Sequence, residues 1–202
     1  MLHLNDLQRD ALSEVFNISV NQAAAALSEI VREDIHMSVP MVDVCDLPTA
    51  VDYLNQGHEV CAIAQKFAGG LKGQAMMVIP EMRSLELVRM MMGIDVPMGA
   101  LTDIEQDALG EMGNIVLSAC FASLADMFDE HFDYEPPQLF WGAIAKLLDK
   151  GQDDKMMLLI KIRFSFGNRE LDGHIVLLVD GDSIHCLETA LNKFLRLIMG
   201  DS

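Results

Sequence analysis

Basic residues, cysteine and tryptophan are scarce in this chain of 202 residues. Its 14 lysines and arginines face 31 aspartates and glutamates, which gives a formal net charge of −17. Nucleic acids and anionic membrane surfaces attract proteins through basic patches, so we expect neither as a partner. The four cysteines, Cys45, Cys61, Cys120 and Cys186, form no C-x2-C pair and lie in or beside apolar runs. We expect buried, reduced thiols.

Long apolar runs and a signal peptide are also missing. Apolar runs such as residues 156–160 and 175–179 are far shorter than the roughly 20 residues that span a bilayer. The opening residues, MLHLNDLQRD, lack the charged and apolar regions of a signal peptide. The sequence therefore predicts a cytoplasmic protein, and its 51% of hydrophobic residues supply ample material for a core.

One stretch of sequence occurs twice, as LNDLQRDALSEVFNI at residues 4–18 and as LTDIEQDALGEMGNI at residues 101–115. A constant offset of 97 aligns the two copies and also carries Leu27 onto Leu124 and Pro40 onto Pro137. A single register held over this length without a gap indicates a duplicated unit.

Both copies are predicted to be long amphipathic helices, because their apolar residues recur at helical spacing. At about 100° per residue, four polar residues of each copy share one stripe. These are Asp10, Glu14, Asn17 and Asn21, and then Asp107, Glu111, Asn114 and Ser118. The predicted apolar faces comprise Leu12, Val15, Ala23, Ala26 and Ile30, and then Leu109, Met112, Val116 and Met127. Each helix presents a glutamate three residues before an asparagine, close enough for both to act on one bound group.

The polar residues and the later proline together resemble the signature of the CheC/CheX/FliY phosphatases of bacterial chemotaxis. That signature is Asp-x3-Glu-x2-Asn, followed after 22 residues by Pro. The copies match it as Asp10, Glu14, Asn17 and Pro40, and as Asp107, Glu111, Asn114 and Pro137. Two motifs in about 200 residues resemble the CheC type, since CheX-like proteins carry one motif and dimerise. FliY-type switch proteins carry an additional C-terminal domain, whereas this chain ends at Ser202, soon after its last predicted helix.

The predicted fold class is α+β, with a helix-strand-hairpin-helix unit in each half. We expect one CheC-like domain over residues 1–202, made of pseudo-symmetric halves at 1–97 and 98–202, with residues 94–99 as the link. Because proline cannot donate to a β-ladder, Pro40 predicts that the strand at residues 35–46 is an edge strand or contains a bulge. The resemblance adds that the strands join into a common sheet, with the two motif helices displayed outside it.

The resemblance also implies a function, hydrolysis of the aspartyl phosphate on a CheY-like response regulator. Asn17 and Asn114 would orient the hydrolytic water, and Glu14 and Glu111 would pair with the lysine of the receiver domain. An asparagine amide does not titrate usefully, but it can accept from a water and donate to a phosphoryl oxygen. Phosphoryl transfer needs mainly positioning and charge neutralisation, so such an amide is enough if the substrate brings its own metal and lysine. Mg²⁺ would come with the receiver, and we expect this chain to bind no cofactor or metal.

Three questions stay open at the level of sequence. Asp10 and Asp107 are expected either to contact the partner or to complete local hydrogen bonding. Phe16 stands where the second copy has Gly113, and it would either pack into the core or obstruct docking at the first site. The alternative function is a non-catalytic adaptor that binds a receiver domain or the deamidase CheD. Intact glutamate and asparagine in both copies favour catalysis, because an adaptor has no evident need for them.

Overall fold

The computed structural model describes residues 4–54, 58–93, 102–129, 131–148 and 156–199. The predicted link at residues 94–99 lies outside these ranges. Within them, six helices and seven strands follow one another in the order α1 Asp6–Val31, β1 Ile35–Cys45, α2 Leu47–Leu54, β2 Val60–Ala68, β3 Gly73–Pro80, α3 Glu81–Met92, α4 Asp103–Phe128, β4 Asp133–Tyr134, β5 Gln138–Gly142, α5 Ile144–Leu148, β6 Met156–Phe166, β7 Arg169–Val179 and α6 Gly181–Met199. The predicted α+β class and both predicted hairpins, β2–β3 and β6–β7, are confirmed.

The seven strands form one antiparallel sheet in which the two halves of the sequence exchange strands. The order is β1-β6-β7-β3-β2-β4, and β5 also pairs with β2. Strand β1 therefore pairs with the hairpin of the second half, and β4 and β5 pair with the hairpin of the first. The pairing of β3 with β7 joins the two hairpins in the middle.

The segments around the two motif prolines, Pro40 and Pro137, lie at sheet edges, and both interrupt the ladder. In β1 the register shifts between Ser38 and Met41, the interval that contains Pro40. In the second half, Pro136 and Pro137 separate β4 from β5. The prediction of an edge strand or a bulge was correct on both counts, because a residue without an N–H cannot continue the ladder.

The two faces of the sheet carry separate apolar clusters. Helices α1 and α4 contact each other and pack with α3 and α6 on the larger cluster, whereas α2 and α5 cover the smaller one. The predicted apolar face of α4 is buried throughout. In α1, Leu12, Val15 and Ala23 are buried, but Ala26 and Ile30 are exposed. The predicted apolar face was wrong for these two, because α1 turns them away from the sheet.

Helix α4 has the length and the mean hydropathy, 1.4, that a membrane span requires. Its buried residues nevertheless include Leu109, Val116 and Leu124, which belong to the larger apolar cluster. Asp107 and Glu111 lie on its exposed face. The hydropathy of α4 therefore reflects its place in the protein core.

The four cysteines are free thiols in unlike surroundings. Cys61 and Cys120 are buried, and burial raises the pKa of each thiol to about 12. Cys45 is partly buried, and burial together with nearby Asp43 raises its pKa to about 11. The expected burial was wrong for Cys186, which is exposed on α6.

Both motif helices begin with a capping box, but only the second box is charged. In α1, Asn5 and Gln8 exchange hydrogen bonds, and Gln8 Nε2 donates to Asn192 Oδ1 of α6 at 3.0 Å. In α4, the carboxylate of Glu105 accepts from the Thr102 N–H at 2.7 Å and from Arg89 Nε at 2.9 Å. The bond from the Thr102 backbone and then the Arg89 guanidinium lower the pKa of Glu105 to about 2.

We expect this charged box to make folding sensitive to acid. A carboxyl whose pKa falls from 4.5 to about 2 on folding stabilises the protein above pH 4.5 and loses that contribution as the pH falls towards 2. Glu105→Gln should therefore reduce the free energy of unfolding at pH 6 and have little effect at pH 2, as measured by urea unfolding. Gln8→Ala is the control, because it removes the neutral member of the α1 capping box. Its effect on the free energy of unfolding should therefore be similar at both pH values. An equal effect of Glu105→Gln at both pH values would contradict this account.

Candidate functional site

The first candidate site lies on the exposed face of α1. Asp10 and Glu14 are exposed there, and Asn17 is partly buried at the edge of the same face. The Asn17 side chain is not free to rotate, because its Oδ1 accepts a hydrogen bond from the Val39 backbone N–H at 2.8 Å. Its Nδ2 and the second lone pair of its Oδ1 remain for a ligand.

The position of Pro40 explains why the Val39 N–H is available. Val39 lies in the interval where the pairing of β1 with β6 shifts register, so its N–H turns to Asn17 instead of continuing the ladder. A proline directly after this residue favours extended backbone at Val39 and keeps the bulge in place. In the first copy, the spacing from the asparagine to the proline therefore has a physical basis, because it brings a free backbone donor to Asn17.

The second candidate site repeats this arrangement on α4 with a different donor. Asp107 and Glu111 are exposed, and Asn114 is partly buried. At the offset of 97, the residue corresponding to Val39 is Pro136, which has no N–H. Here Asn114 Oδ1 accepts from the side chain of Gln65, whose Nε2 lies 3.1 Å away.

The two helices differ in how they approach the sheet. A Cβ atom on Gly113 would lie 2.6 Å from Cγ2 and 2.7 Å from Cβ of Ile63, so α4 approaches β2 at a distance that only glycine permits. In α1 the equivalent residue, Phe16, is wholly buried in the main cluster. Phe16 therefore packs in the core and does not project from the face that carries Glu14 and Asn17.

Exposed apolar side chains border both polar faces. Leu7 is 50% exposed and Ile18 is 48% exposed on α1, and Ile104 is 68% exposed on α4. At 100° per residue, Leu7 and Ile18 fall within roughly 40° of Glu14 on the helix surface. Each face therefore has exposed apolar area beside its polar side chains, and exposed apolar area of this kind can be buried by a protein partner.

The predicted site residues of each copy lie on one face of one helix. The structure brings Asp10, Glu14 and Asn17 onto one exposed face of α1, and it brings Asp107, Glu111 and Asn114 onto one exposed face of α4. Their chemical roles stay predictions.

Sequence reasoning missed both hydrogen-bond donors, the Val39 N–H and the Gln65 side chain. A signal for Gln65 was present, since it is a lone amide among alternating small and apolar residues in the strand VCAIAQKFA. Within the described ranges, no three histidine, cysteine or acidic side chains cluster as metal ligands would.

Comparisons with known proteins find a relative by sequence and several by fold. No family model matches the chain. It is 27% identical over 173 residues to the flagellar motor switch phosphatase FliY of Bacillus subtilis, and the match covers 83% of this chain and 44% of that protein. The chain thus spans less than half the length of this relative.

Three solved structures share the fold. The crystal structure of Thermotoga maritima FliY superposes with a TM-score of 0.78 at 20% identity, covering 96% of this chain and 100% of that one. The FliM middle domain of Helicobacter pylori gives a TM-score of 0.68 at 12% identity, covering 94% and 99%. The CheX–CheY complex from Borrelia burgdorferi gives a TM-score of 0.51 at 15% identity, covering 82% and 96%.

Proposed function

Because the chain is a CheC/CheX/FliY-like protein in sequence and fold, we propose that it is a phosphatase acting on the aspartyl phosphate of a CheY-like response regulator. One observation carries the proposal. Two asparagines, each three residues after an exposed glutamate, have their Oδ1 atoms held by hydrogen bonds from the sheet side. This arrangement occurs twice in one chain and matches the family signature at both positions.

In the proposed reaction, Asn17 and Asn114 position the attacking water. The anchored Oδ1 of each keeps one lone pair that can accept from the water, and Nδ2 can donate to a phosphoryl oxygen. Holding the water in line with the phosphorus lowers the barrier by orientation, with no proton taken up by the amide. An anchored amide serves this purpose better than a freely rotating one, because less order has to be imposed at the transition state.

The exposed carboxylates serve docking in this proposal. Glu14 and Glu111 would each pair with the lysine beside the receiver's phosphorylation site, and Asp10 and Asp107 would contact the partner one helical turn away. The Mg²⁺ of the reaction belongs to the receiver and stays on its own ligands. Because response regulators act in the cytoplasm, the same proposal places this protein there.

Docking has to overcome like charge, since this chain carries a formal charge of −17 and a receiver's phosphorylation pocket is also acidic. The exposed Leu7, Ile18 and Ile104 supply the apolar contact that would offset the repulsion. Removing aliphatic area from water contributes about 25 cal/mol per Å² before the entropic cost of association is subtracted, and it does so independently of charge.

The test is phosphate release from a phosphorylated CheY-type receiver in the presence of Mg²⁺. Adding the wild-type protein should accelerate release in proportion to its concentration, above the spontaneous rate. A receiver that carries no phosphoryl group is the control for contaminating phosphate. If several receivers from the same cell show no acceleration, the phosphatase proposal fails.

The alternative is a non-catalytic adaptor that binds a receiver domain or the deamidase CheD. The similarity to FliM of Helicobacter pylori favours it, because FliM, which shares the fold, has been solved in complex with FliG. The adaptor function does not require the amides, whereas the phosphatase function does. The adaptor function would be supported if this protein bound a phosphorylated receiver without accelerating phosphate release.

A further inference from the structure

We propose that Gln65 is a positioning residue that fixes the orientation of the Asn114 amide, and that it replaces the backbone donor lost to Pro136. This inference rests on the proposed function for its catalytic consequence, but its structural content stands by itself. Gln65 is 1% exposed, so it lies beneath the site and cannot touch a docked partner.

The orientations of the Gln65 and Asn114 side-chain amides follow from the position of one backbone carbonyl, that of Glu135. Gln65 Nε2 lies 3.3 Å from the Glu135 carbonyl oxygen and 3.1 Å from Asn114 Oδ1. A backbone carbonyl only accepts, so the end of Gln65 that faces Glu135 must be its NH₂ group. The atom of Asn114 that meets this NH₂ group must then be its oxygen. The Asn114 Nδ2 consequently faces the ligand side.

The internal repeat provides a comparison for this assignment. In the first half, Val39 supplies the donor, and the residue that corresponds to Gln65 is Ile162, apolar and wholly buried. In the second half, Pro136 takes the place of Val39, and Gln65 takes the place of Ile162. Each asparagine therefore has one donor, a backbone N–H in the first half and a side chain in the second.

The arrangement also leaves a buried group unsatisfied. Gln65 Oε1 is buried and makes no hydrogen bond within the part of the chain that the structure describes. Buried polar atoms are normally paired, and an exception calls for a reason. An apolar residue here would leave no such atom unsatisfied, as Ile162 shows in the other half. The use of a glutamine is explained by its hydrogen bond to Asn114.

The first arm of the test is nuclear magnetic resonance of the side-chain amides. The Asn114 pair of signals is assigned by its loss in Asn114→Ala, and the Asn17 pair by its loss in Asn17→Ala. Gln65→Met keeps the length of the side chain and removes the donor. It should shift the Asn114 pair and leave the Asn17 pair unchanged. Ile162→Met is the matched control and should shift neither. An unmoved Asn114 pair in Gln65→Met overturns the inference, whatever the activity.

The second arm measures phosphate release in an Asn17→Ala background, where only the second site contributes. Gln65→Met should lower the rate on the order of tenfold, as loss of a supporting hydrogen bond does at other sites. Adding Pro136→Val restores a backbone N–H at this position and should recover the rate. General destabilisation by Gln65→Met would not be rescued in this way. An unchanged rate, or no rescue, refutes the positioning role. If the wild type itself shows no activity, the proposed function fails, while the spectra still decide the anchoring of Asn114.

Discussion

The double variant Asn17→Ala/Asn114→Ala is expected to lose about 100-fold of the acceleration of phosphate release, comparable to removing a single transition-state donor elsewhere. Either single variant should keep about half of the wild-type rate, because two separate sites contribute additively. The measurement is the initial rate of phosphate release from a phosphorylated CheY-type receiver at fixed Mg²⁺.

The structure provides the reason to expect two working sites. Phe16 is wholly buried, so it does not obstruct the face that carries Asn17. The oxygens of both asparagines are anchored, by donors at 2.8 Å and 3.1 Å. Alanine keeps the helix but leaves the buried Val39 N–H or Gln65 amide without its asparagine acceptor, so each variant should lose some stability and is assayed only after urea unfolding shows that it is folded.

The control for this series is Gln22→Ala. Gln22 is an exposed amide on α1 that lies roughly 140° around the helix from Asn17. It should behave as wild type. If one single variant abolished all activity, only that site would be working and the duplication would serve another purpose. If the double variant kept the wild-type rate, the asparagines would not position the water.

Much of this architecture could be predicted because its signals are local. Helical periodicity located α1 and α4, and Pro40 identified an edge strand with an interrupted ladder. A proline acts on its own hydrogen bond, and an amphipathic helix shows its buried face within a few turns. The exposed Ala26 and Ile30 near the end of α1 were misjudged, because the buried positions there are Ala24 and Leu27, and a fixed 100° stripe drawn from the first turns does not follow that rotation.

The exchange of strands between the halves left no local signal. The pairing of β1 with β6 joins residues such as Val42 and Ile160, and the alternation of each strand fits many partners equally well. The contact of Gln65 with Asn114 is a consequence of the same exchange, since β2 pairs with β5 of the other half beneath α4. The residues that bear the chemistry could thus be found in the motif, while the donors that orient them depended on tertiary pairing.

Two glycines three residues apart on α4 should respond to alanine in opposite directions. Gly113 faces β2, where an added Cβ would lie within 2.6 to 2.8 Å of Cγ2, Cβ and Cγ1 of Ile63. These atoms are close to the Ile63 backbone, so α4 or the strand has to move. We expect Gly113→Ala to lower the free energy of unfolding by about 1–3 kcal/mol, the usual cost of overpacking.

Gly110 is the matched control, because nothing lies within 4 Å of a Cβ built there. Gly110→Ala should raise the free energy of unfolding by about 0.5–1 kcal/mol, since alanine loses less backbone entropy than glycine in a helix. Urea unfolding at pH 7 measures both changes. Ile63→Ala combined with Gly113→Ala should be less destabilising than the sum of the two single changes, because the smaller side chain removes the clash. Strict additivity would mean that close packing on Ile63 is not the reason for glycine at this position.

A movement of α4 away from β2 would affect the second candidate site as well as the free energy of unfolding. Asn114 directly follows Gly113, and its hydrogen bond to Gln65 spans the gap between α4 and β2. If the methyl group added by Gly113→Ala holds the helix away from the strand, this bond lengthens beyond 3.1 Å, whereas the Val39 donor of the first site lies on another strand and is unaffected. Gly113→Ala should therefore reduce phosphate release in an Asn17→Ala background far more than in an Asn114→Ala background. Equal reductions in the two backgrounds would indicate general unfolding. The close approach of α4 to β2 would then not be needed specifically for activity at the second site.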